Sequence, residues 1–300
     1  MMFHHITLIS SPWSACLVAL SILTSTCGFS IDSTEAEIAV FTGAGDIAGC
    51  SSTGDESTAA LLDNITGTIF TLGDNAYRSG TAREFRRCYR TGWGRHKART
   101  RPTVGNHEYT TPGAADYFSY FGAAAGDPSR GYYSFNLGDW HIIALNSMCD
   151  KVGGCDVTSP MVRWLRNDLA NNVRKCTLAY FHHPLFSSGQ NGNPKMRPSW
   201  DILYGHRVDV VLSGHDHIYE RFAPQKPDGT LDQNRGVVEF VVGTGGVSHH
   251  DILSIKPNSI VRNDETFGVL KLVLRPLNYS WRFIPVLGQT FTDAGTRACH

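Results

Sequence analysis

The chain has 300 residues, of which 41% are hydrophobic and 18% are charged, so it can bury a sizeable core and is not a disordered protein. Its 27 basic and 27 acidic residues balance, which argues against a general nucleic-acid binder or a protein that binds acidic membranes. The 13 histidines and 30 glycines are many for this length and suggest sharp turns that present polar ligands.

The first segment is predicted to be an export signal. No charged residue occurs between Ile6 and Phe29, and residues 15–23 form an apolar run of signal-peptide length. We assign the signal to residues 1–30 without fixing its cleavage site, and a membrane or lipid anchor is the alternative. The signal predicts an exported protein, which is secreted, periplasmic or attached to the cell surface.

The cysteines predict disulfide bonds. Of the 8 cysteines, Cys16 and Cys27 lie in or beside the leader, and six remain. In an exported chain, six cysteines suggest disulfides. We favour Cys149–Cys155 as a local pair because the two glycines between them allow a tight loop, and we expect Cys50–Cys88 and Cys176–Cys299 as the other pairs. Free buried thiols are the alternative, and a zinc site is disfavoured because the chain contains no CxxC pair.

Short apolar runs predict strands throughout residues 36–300, which we expect to form one catalytic domain. Several runs lack alternation between apolar and polar residues, as is typical of strands buried on both faces. The predicted strands are residues 38–41, 68–72, 140–145, 176–181, 208–212, 237–242, 269–274 and 279–285.

Two helices have clear N-terminal signals. Thr81 and Glu84 form a capping-box pattern that predicts a helix ending near Arg90. Ser159-Pro160 predicts the start of a second helix, whose apolar residues form a single stripe. Strands that alternate with helices indicate an α/β chain, and the strand-rich C-terminal part predicts that the sheets also contain antiparallel strands.

Five segments place metal-ligand residue types after a short apolar strand, usually with a glycine between them. Ligands of an open α/β sheet bind at the carboxyl ends of its strands, so these side chains are expected to converge. Their mixed carboxylate, amide and imidazole groups suit iron, manganese or zinc. Each segment alone could be an ordinary capped turn. The side chains are Asp46, Asp74, Asn106, His182, His215 and His217.

Taken in order, the five segments resemble those of the calcineurin-like metallophosphoesterases, and within that superfamily those of the purple acid phosphatases. They are Gly45-Asp46, Gly73-Asp74-Asn75-Ala76-Tyr77, Gly105-Asn106-His107-Glu108, His182-His183-Pro184 and Gly214-His215-Asp216-His217. The last continues as Ile218-Tyr219-Glu220-Arg221, as in purple acid phosphatases. The resemblance covers residues 39–246 and implies a four-layer αββα sandwich, with two mixed β-sheets flanked by helices.

The resemblance implies two metal ions that share Asp74. One ion would bind Asp46, Asp74, Tyr77 and His217, and the other would bind Asp74, Asn106, His182 and His215. Purple acid phosphatases have their tyrosinate ligand at the position of Tyr77. A phenolate suits Fe³⁺, and the second ion is expected to be Fe²⁺, Zn²⁺ or Mn²⁺. A packed aromatic residue is the alternative role for Tyr77. Ala48 stands where most of the superfamily has a histidine.

The resemblance also implies an acid phosphatase-like enzyme that hydrolyses phosphate monoesters by attack of a metal-bound hydroxide. His107 would protonate the leaving oxygen. Arg78 and His183 are candidate substrate contacts, although His183 would point away from His182 if the strand continued. No obvious His-His pair comes directly after the fourth segment, so the substrate must be held by other residues. The expected partner is a small phosphorylated substrate and not a nucleic acid. A phosphodiesterase with the same centre and an inactive binding module are the alternatives.

Two further features each have two alternative roles. Residues 83–101 contain eight basic side chains and one acidic side chain, Glu84. This stretch could border the site and attract anionic substrates, or it could be a solvated helix face. His249-His250 follows a glycine-rich turn and could reach the metals or lie on a surface loop.

Overall fold

The computed structural model describes residues 38–190 and 192–300, so the predicted signal at residues 1–30 lies outside the described part. The described residues belong to one compact unit. Within that part of the chain, no helix has both the length and the apolar character needed to cross a membrane.

The apolar runs form the strands of two large β-sheets, and each of the eight predicted strands overlaps an observed one. In the described chain the strands are β1 Ala39–Ala44, β2 Ala48–Gly49, β3 Thr68–Leu72, β4 Ala76–Tyr77, β5 Thr100–Thr103, β6 Tyr133–Leu137, β7 Trp140–Ala144, β8 Cys176–Tyr180, β9 Val210–Ser213, β10 Tyr219–Phe222, β11 Val238–Val242, β12 Ser259–Asn263, β13 Gly268–Arg275, β14 Asn278–Pro285 and β15 Ala294–Ala298.

The helices lie between the strands and are mostly short. The α-helices of the described residues are α1 Gly54–Asp63, α2 Ala82–Glu84, α3 Ala115–Phe121, α4 Pro160–Asn171 and α5 Arg197–Gly205. A π-helix at Phe85–Tyr89 follows α2. Short 3₁₀ turns occur at Trp93–Arg99, Glu108–Thr110, Pro112–Ala114, Gly122–Ala125, Cys149–Val152 and Pro194–Met196.

The order of the strands brings their carboxyl ends together. The first sheet has the order β15-β14-β13-β1-β3-β5, and the second has the order β12-β10-β11-β9-β8-β7-β6. Strands β1, β3 and β5 run parallel, as do β7, β8, β9 and β11. The C-terminal strands β13, β14 and β15 pair antiparallel, which confirms the mixed sheets predicted from the strand-rich C-terminal part.

The core lies between the two sheets. Phe41 of β1 contacts Phe70 of β3, with ring centroids 4.8 Å apart, and contacts Tyr180 of β8 in the other sheet at 5.6 Å. On the outer face of the second sheet, Leu165 of α4 and Trp200 of α5 belong to a second apolar cluster. Two mixed sheets therefore pack face to face with helices outside them, as the resemblance implies.

The predicted helix at residues 81–90 has the expected start and a different continuation. The capping box is present, because the Glu84 amide donates to Thr81 Oγ1 and the Glu84 carboxylate accepts from the Thr81 amide. The α-helix ends at Glu84, and the chain continues as the π-helix. Phe85 stacks on Tyr120 at 4.6 Å in this region, and Cys88 is joined to Cys50. These distant contacts, which the local sequence does not encode, hold the wider turn.

The three expected disulfides are present. Cys50–Cys88, Cys149–Cys155 and Cys176–Cys299 have Cα–Cα distances of 5.0, 5.1 and 5.4 Å. The first ties the loop after β2 to the π-helix, and the third ties the C-terminus to β8.

A buried carboxylate joins the two sheets near the chain end. Asp293 accepts hydrogen bonds from Tyr219 Oη at 2.7 Å and Arg221 Nε at 2.6 Å, both on β10, and from Trp281 Nε1 at 3.1 Å on β14. Burial favours the protonated form of Asp293, but hydrogen bonding to Arg221 and Tyr219 outweighs it and lowers the pKa of this carboxyl.

We predict that Asp293→Ala lowers the free energy of unfolding by about 3 kcal/mol at pH 7, because the partly buried Arg221 is left without its partner. The folded-state pKa of Asp293 lies below the unfolded value of about 3.9, so its contribution is present above that pH and is lost as the pH falls through the folded pKa. In urea unfolding, the difference between wild type and variant should shrink toward pH 2. Glu265→Ala, which removes an exposed carboxylate, is the control. Equal effects of the two variants would contradict this prediction.

Candidate metal centre

The predicted ligands converge at the carboxyl ends of strands from both sheets. Most are buried, and Asn106 and His215 are partly exposed. Asp46 follows β1, Asp74 follows β3, and Tyr77 ends the short strand β4 that comes next. Asn106 follows β5, His182 follows β8, and His215 and His217 follow β9.

Two buried carboxylates and an imidazole surround the phenolic oxygen of Tyr77. This oxygen lies 2.9 Å from Asp46 Oδ1, 3.1 Å from Asp74 Oδ2 and 3.2 Å from His217 Nε2. Asp46, Asp74 and Tyr77 are each less than a tenth exposed. The four donor groups form one half of the site.

The other half is built around His182. Its Nε2 lies 3.2 Å from Asp74 Oδ2, 2.9 Å from Asn106 Oδ1 and 3.1 Å from His215 Nδ1. Donor atoms of Asp46, Asp74 and His182 lie within 4.8 Å of one another. Asp74 Oδ2 therefore contacts both halves, as expected for a residue that two ions share.

The sharp turns of the site are made by the ligands themselves. Asp46, Asp74 and His215 have φ values of 60°, 48° and 69°, in the left-handed region that costs a non-glycine residue roughly 1–3 kcal/mol. The glycine before a ligand instead provides room. A Cβ at Gly105 would lie 2.1 Å from Asp74 Oδ1, and one at Gly214 would lie 2.7 Å from Asp46 Oδ2. Gly73, before Asp74, itself has a positive φ of 80°, and Gly105 and Gly214 leave the space that a Cβ would fill, in line with the expectation that these glycines avoid a Cβ clash.

Glu108 holds the second and third segments together, a role that the sequence did not reveal. Its buried carboxylate accepts backbone hydrogen bonds from Asp74 at 3.0 Å, Asn75 at 2.6 Å and Gly105 at 2.8 Å. The loops after β3 and β5 are therefore fixed to each other. The only sequence signal for this role was the position of Glu108 beside His107.

Two histidines are oriented by groups behind them. His182 Nδ1 lies 2.7 Å from the Leu72 carbonyl oxygen, which can only accept, so Nδ1 carries the proton and Nε2 faces the site. His217 Nδ1 lies 2.8 Å from Ser248 Oγ. Such partners set the orientation and basicity of metal-binding histidines. Ser248 comes from the loop after β11, and no local pattern links it to His217.

His183 lies inside the cluster, contrary to the expectation that it would point away from His182. Because β8 ends at Tyr180, strand alternation does not extend to residue 183. The His183 ring is centred 4.1 Å from that of His215, and its Nδ1 lies 2.8 Å from Ser147 Oγ. Burial, with the neighbouring His182, strongly lowers the pKa of His183.

His250 also reaches the site, whereas His249 lies behind it. The His250 ring stacks on His217 with centroids 3.8 Å apart and an interplanar angle of 11°. His249 stacks on Phe267 at 3.9 Å. His250 therefore contacts the predicted ligand His217 from a partly exposed loop.

The electrostatics of the site suit cations. Burial favours the neutral forms of Asp46 and Asp74, yet His217 lowers the pKa of Asp46 and His182 lowers that of Asp74. Burial raises the pKa of Tyr77 well above 10, and both carboxylates raise it further.

The histidines compensate these carboxylates only in part. Burial opposes the protonation of His182, but Asp74 raises its pKa to about 9. Burial, together with His182, lowers the pKa of His215 to about 4, which leaves the neutral form that binds metals. Two buried carboxylates beside an amide, a phenol and imidazoles form a donor set that fits iron, zinc or manganese.

An open cleft of about 540 Å³ leads to this cluster. Tyr77, Arg78, His107, His217 and Ser248 are among its lining residues. His107 Nδ1 lies 2.5 Å from the Arg78 carbonyl oxygen, so this nitrogen donates, and Nε2 lies 3.8 Å from Asp74 Oδ2. His107 and Arg78 thus lie where a substrate would enter.

Known proteins resemble this chain over the segments that carry the predicted metal ligands. A family model described as calcineurin-like phosphoesterase matches residues 41–219, more than half of the chain. The chain belongs to the calcineurin-like phosphoesterase family. It is 37% identical over 131 residues to probable purple acid phosphatase 20 and 32% identical over 159 residues to purple acid phosphatase 18, both from Arabidopsis thaliana. The matches cover 41% and 48% of this chain but only 29% and 35% of the relatives.

Solved structures share the fold at low sequence identity. Purple acid phosphatase PPD1 from yellow lupin superposes with a TM-score of 0.68 at 17% identity, covering 87% of this chain and 54% of the lupin chain. GAP50, the anchor in the inner membrane complex of Plasmodium, gives a TM-score of 0.62 at 14% identity, covering 85% and 88% of the two chains. The two-sheet fold of the family is therefore established for this chain.

Proposed function

We propose that this protein is a metal-dependent phosphohydrolase that acts on phosphate monoesters. The observation that carries the proposal is the convergence of six donor side chains, from five separate segments, around the carboxylate of Asp74. Because the chain covers only part of its phosphatase relatives, the activity is inferred from this geometry. We assign it to residues 36–300.

The donor set divides into two metal positions. Tyr77, Asp46 and His217 would hold one ion, which we propose is Fe³⁺, because a phenolate is a hard ligand whose ionisation a trivalent ion favours. Asn106, His182 and His215 would hold a divalent ion, Fe²⁺, Zn²⁺ or Mn²⁺. Asp74 serves both. When bound, such ions acidify a water molecule for attack and neutralise the charge of the phosphate.

His107 is the proposed acid for the leaving group. Its Nδ1–H donates to the Arg78 carbonyl oxygen, which fixes the ring and leaves Nε2 near Asp74 at the mouth of the cleft. A proton on Nε2 can pass to the departing alkoxide oxygen. The exposed Arg78 guanidinium can bind phosphate oxygens, whereas the buried His183 is better suited to supporting His215.

The cleft favours monoesters over diesters on charge. A monoester is close to a dianion at neutral pH, and among the described residues the Arg78 side chain has no ion-pair partner within 4 Å. A phosphodiesterase with the same centre is the second candidate. An inactive binding module, a role compatible with the likeness to the anchor protein GAP50, is disfavoured because all seven donors are retained. The three disulfides support export.

The role of Tyr77 can be tested by metal content and colour. We expect the purified protein to contain iron and to show a visible tyrosinate-to-iron band. Tyr77→Phe should lose this band and weaken iron binding by about 100-fold or more, because a direct ligand contributes at least as much as an outer-shell partner. Tyr120→Phe is the control, since this ring stacks on Phe85 away from the site. An unchanged iron content and spectrum in Tyr77→Phe would remove Tyr77 from the ligand set.

The proposed activity can be tested with paired aryl monoesters and diesters. We expect a higher kcat/KM for the monoester, and we expect Asn106→Ala to lower it by about 100-fold or more. Asn171→Ala, on the exposed end of α4, is the control. Full activity in Asn106→Ala would contradict the hypothesis of a two-ion centre that includes Asn106. A preference for the diester would favour the second candidate, and no activity on either ester by the metal-loaded wild type would favour the binding module.

A further inference from the structure

The basic stretch at residues 83–101 does not act as one surface. Arg95 pairs with Asp63 at 2.7 Å, and Arg99 donates to backbone carbonyls of Leu62 and Gly67. Lys97 lies over the Tyr120 ring at 4.8 Å, and Arg101 lies over another aromatic ring. The second half of the stretch is therefore used in packing.

The first half contains exposed arginines with no acidic partner. Arg83, Arg86, Arg87 and Arg90 are exposed, and the described residues provide no carboxylate within 4 Å of their guanidinium groups. These four arginines do not share one direction. Arg83 and Arg87 line a pocket of about 310 Å³ with Cys50 and Glu84, whereas Arg86 lines a different pocket beside Lys97 and Asp116.

The pocket with Arg83 and Arg87 adjoins the cleft of the metal centre. Cys50 and Glu84 line both spaces, so the two spaces share a wall. Arg78 lies on the cleft side of this wall, and Arg83 and Arg87 lie on the other side. An anionic group in the pocket would therefore be close to a phosphate in the cleft.

The turn that carries Arg83 and Arg87 is fixed to the loops that carry the metal ligands. The disulfide Cys50–Cys88 joins it to the loop that follows Asp46. The Glu84 carboxylate accepts from the backbone amides of Arg78 at 2.6 Å and Thr81 at 2.9 Å. These bonds join the turn to the loop that carries Tyr77, so the distance between the pocket and the metal centre is set by covalent and hydrogen-bonded links.

The charges of the wall favour an anion. Among the described residues that line the two spaces, Glu84 is the one acidic residue, and its carboxylate accepts hydrogen bonds from backbone amides and from Thr81 Oγ1 at 2.8 Å. Its single negative charge is outnumbered by the three positive charges of Arg78, Arg83 and Arg87. Arginine forks bind phosphate or carboxylate through paired hydrogen bonds, so two arginines on one pocket can hold such a group in a defined orientation.

We propose that Arg83 and Arg87 form a second anion subsite, so that the preferred substrate is a small phosphomonoester whose leaving group carries another phosphate. This inference rests on the proposed phosphohydrolase activity, because the first phosphate is hydrolysed at the metal centre. The pocket volume of about 310 Å³ leaves room for a phosphate group and part of the molecule that carries it.

The test compares an alkanediol monophosphate with the matching bisphosphate, over several chain lengths. We expect wild type to prefer the bisphosphate by roughly tenfold or more in kcat/KM, because charge-assisted pairs are stronger than neutral ones. The double variant Arg83→Gln/Arg87→Gln should remove that preference, and Arg86→Gln, which changes the same charge on another face, should keep it.

Three results would overturn the subsite. The first is an unchanged preference for the bisphosphate in the double variant. The second is an equal loss of that preference in Arg86→Gln, which would indicate general attraction by charge. The third is a preference for a 5′-phosphorylated oligonucleotide over every small bisphosphate. Failure of the proposed activity would appear separately, as absence of hydrolysis of the monophosphate. The subsite can still be tested in that case by binding of non-hydrolysable phosphonates. An alkane bisphosphonate should bind wild type roughly tenfold more tightly than the monophosphonate, and the double variant should lose this difference.

Discussion

Two buried carboxylates, Asp46 and Asp74, lie against the same phenolic oxygen, and the structure of the site depends on compensating their charge. Their distances of 2.9 and 3.1 Å to Tyr77 Oη leave little room for solvent. Buried like charges are costly without a positive partner. His182 provides part of that charge, and a pair of cations would provide the rest. The donor set is therefore explained better as a cation site than as a cluster with a purely structural role.

The fold brings these carboxylates together at some expense in backbone strain. Parallel strands of one sheet deliver Asp46 and Asp74, and parallel strands of the other deliver the histidines. Three ligands adopt left-handed backbone conformations, which persist because neighbouring groups fix them. Glu108 binds the loops after β3 and β5 to each other, and Asp293 joins the sheets elsewhere. The strained backbone at the ligands is therefore maintained by the rigid contacts around it.

Much of this was predictable from the sequence because it is locally encoded. Strand runs followed by a ligand, such as the run before Asp74, indicate both the element and its carboxyl end. The partners behind the ligands were not predictable, since Ser248 meets His217 only through the packing of the loop after β11. The inward position of His183 depends on where β8 ends, and the π-helix at Phe85–Tyr89 depends on aromatic contacts and a disulfide. Neither is decided by neighbouring residues in the chain.

The most direct test is anomalous diffraction from crystals of the metal-loaded protein, recorded at the absorption edges of the bound metals. We predict two peaks, one on either side of the Asp74 carboxylate. The iron peak should contact Tyr77 and His217, and the other should contact Asn106, His182 and His215. A single peak held by His182, His183 and His215, another group of close donors, would contradict the shared-carboxylate centre.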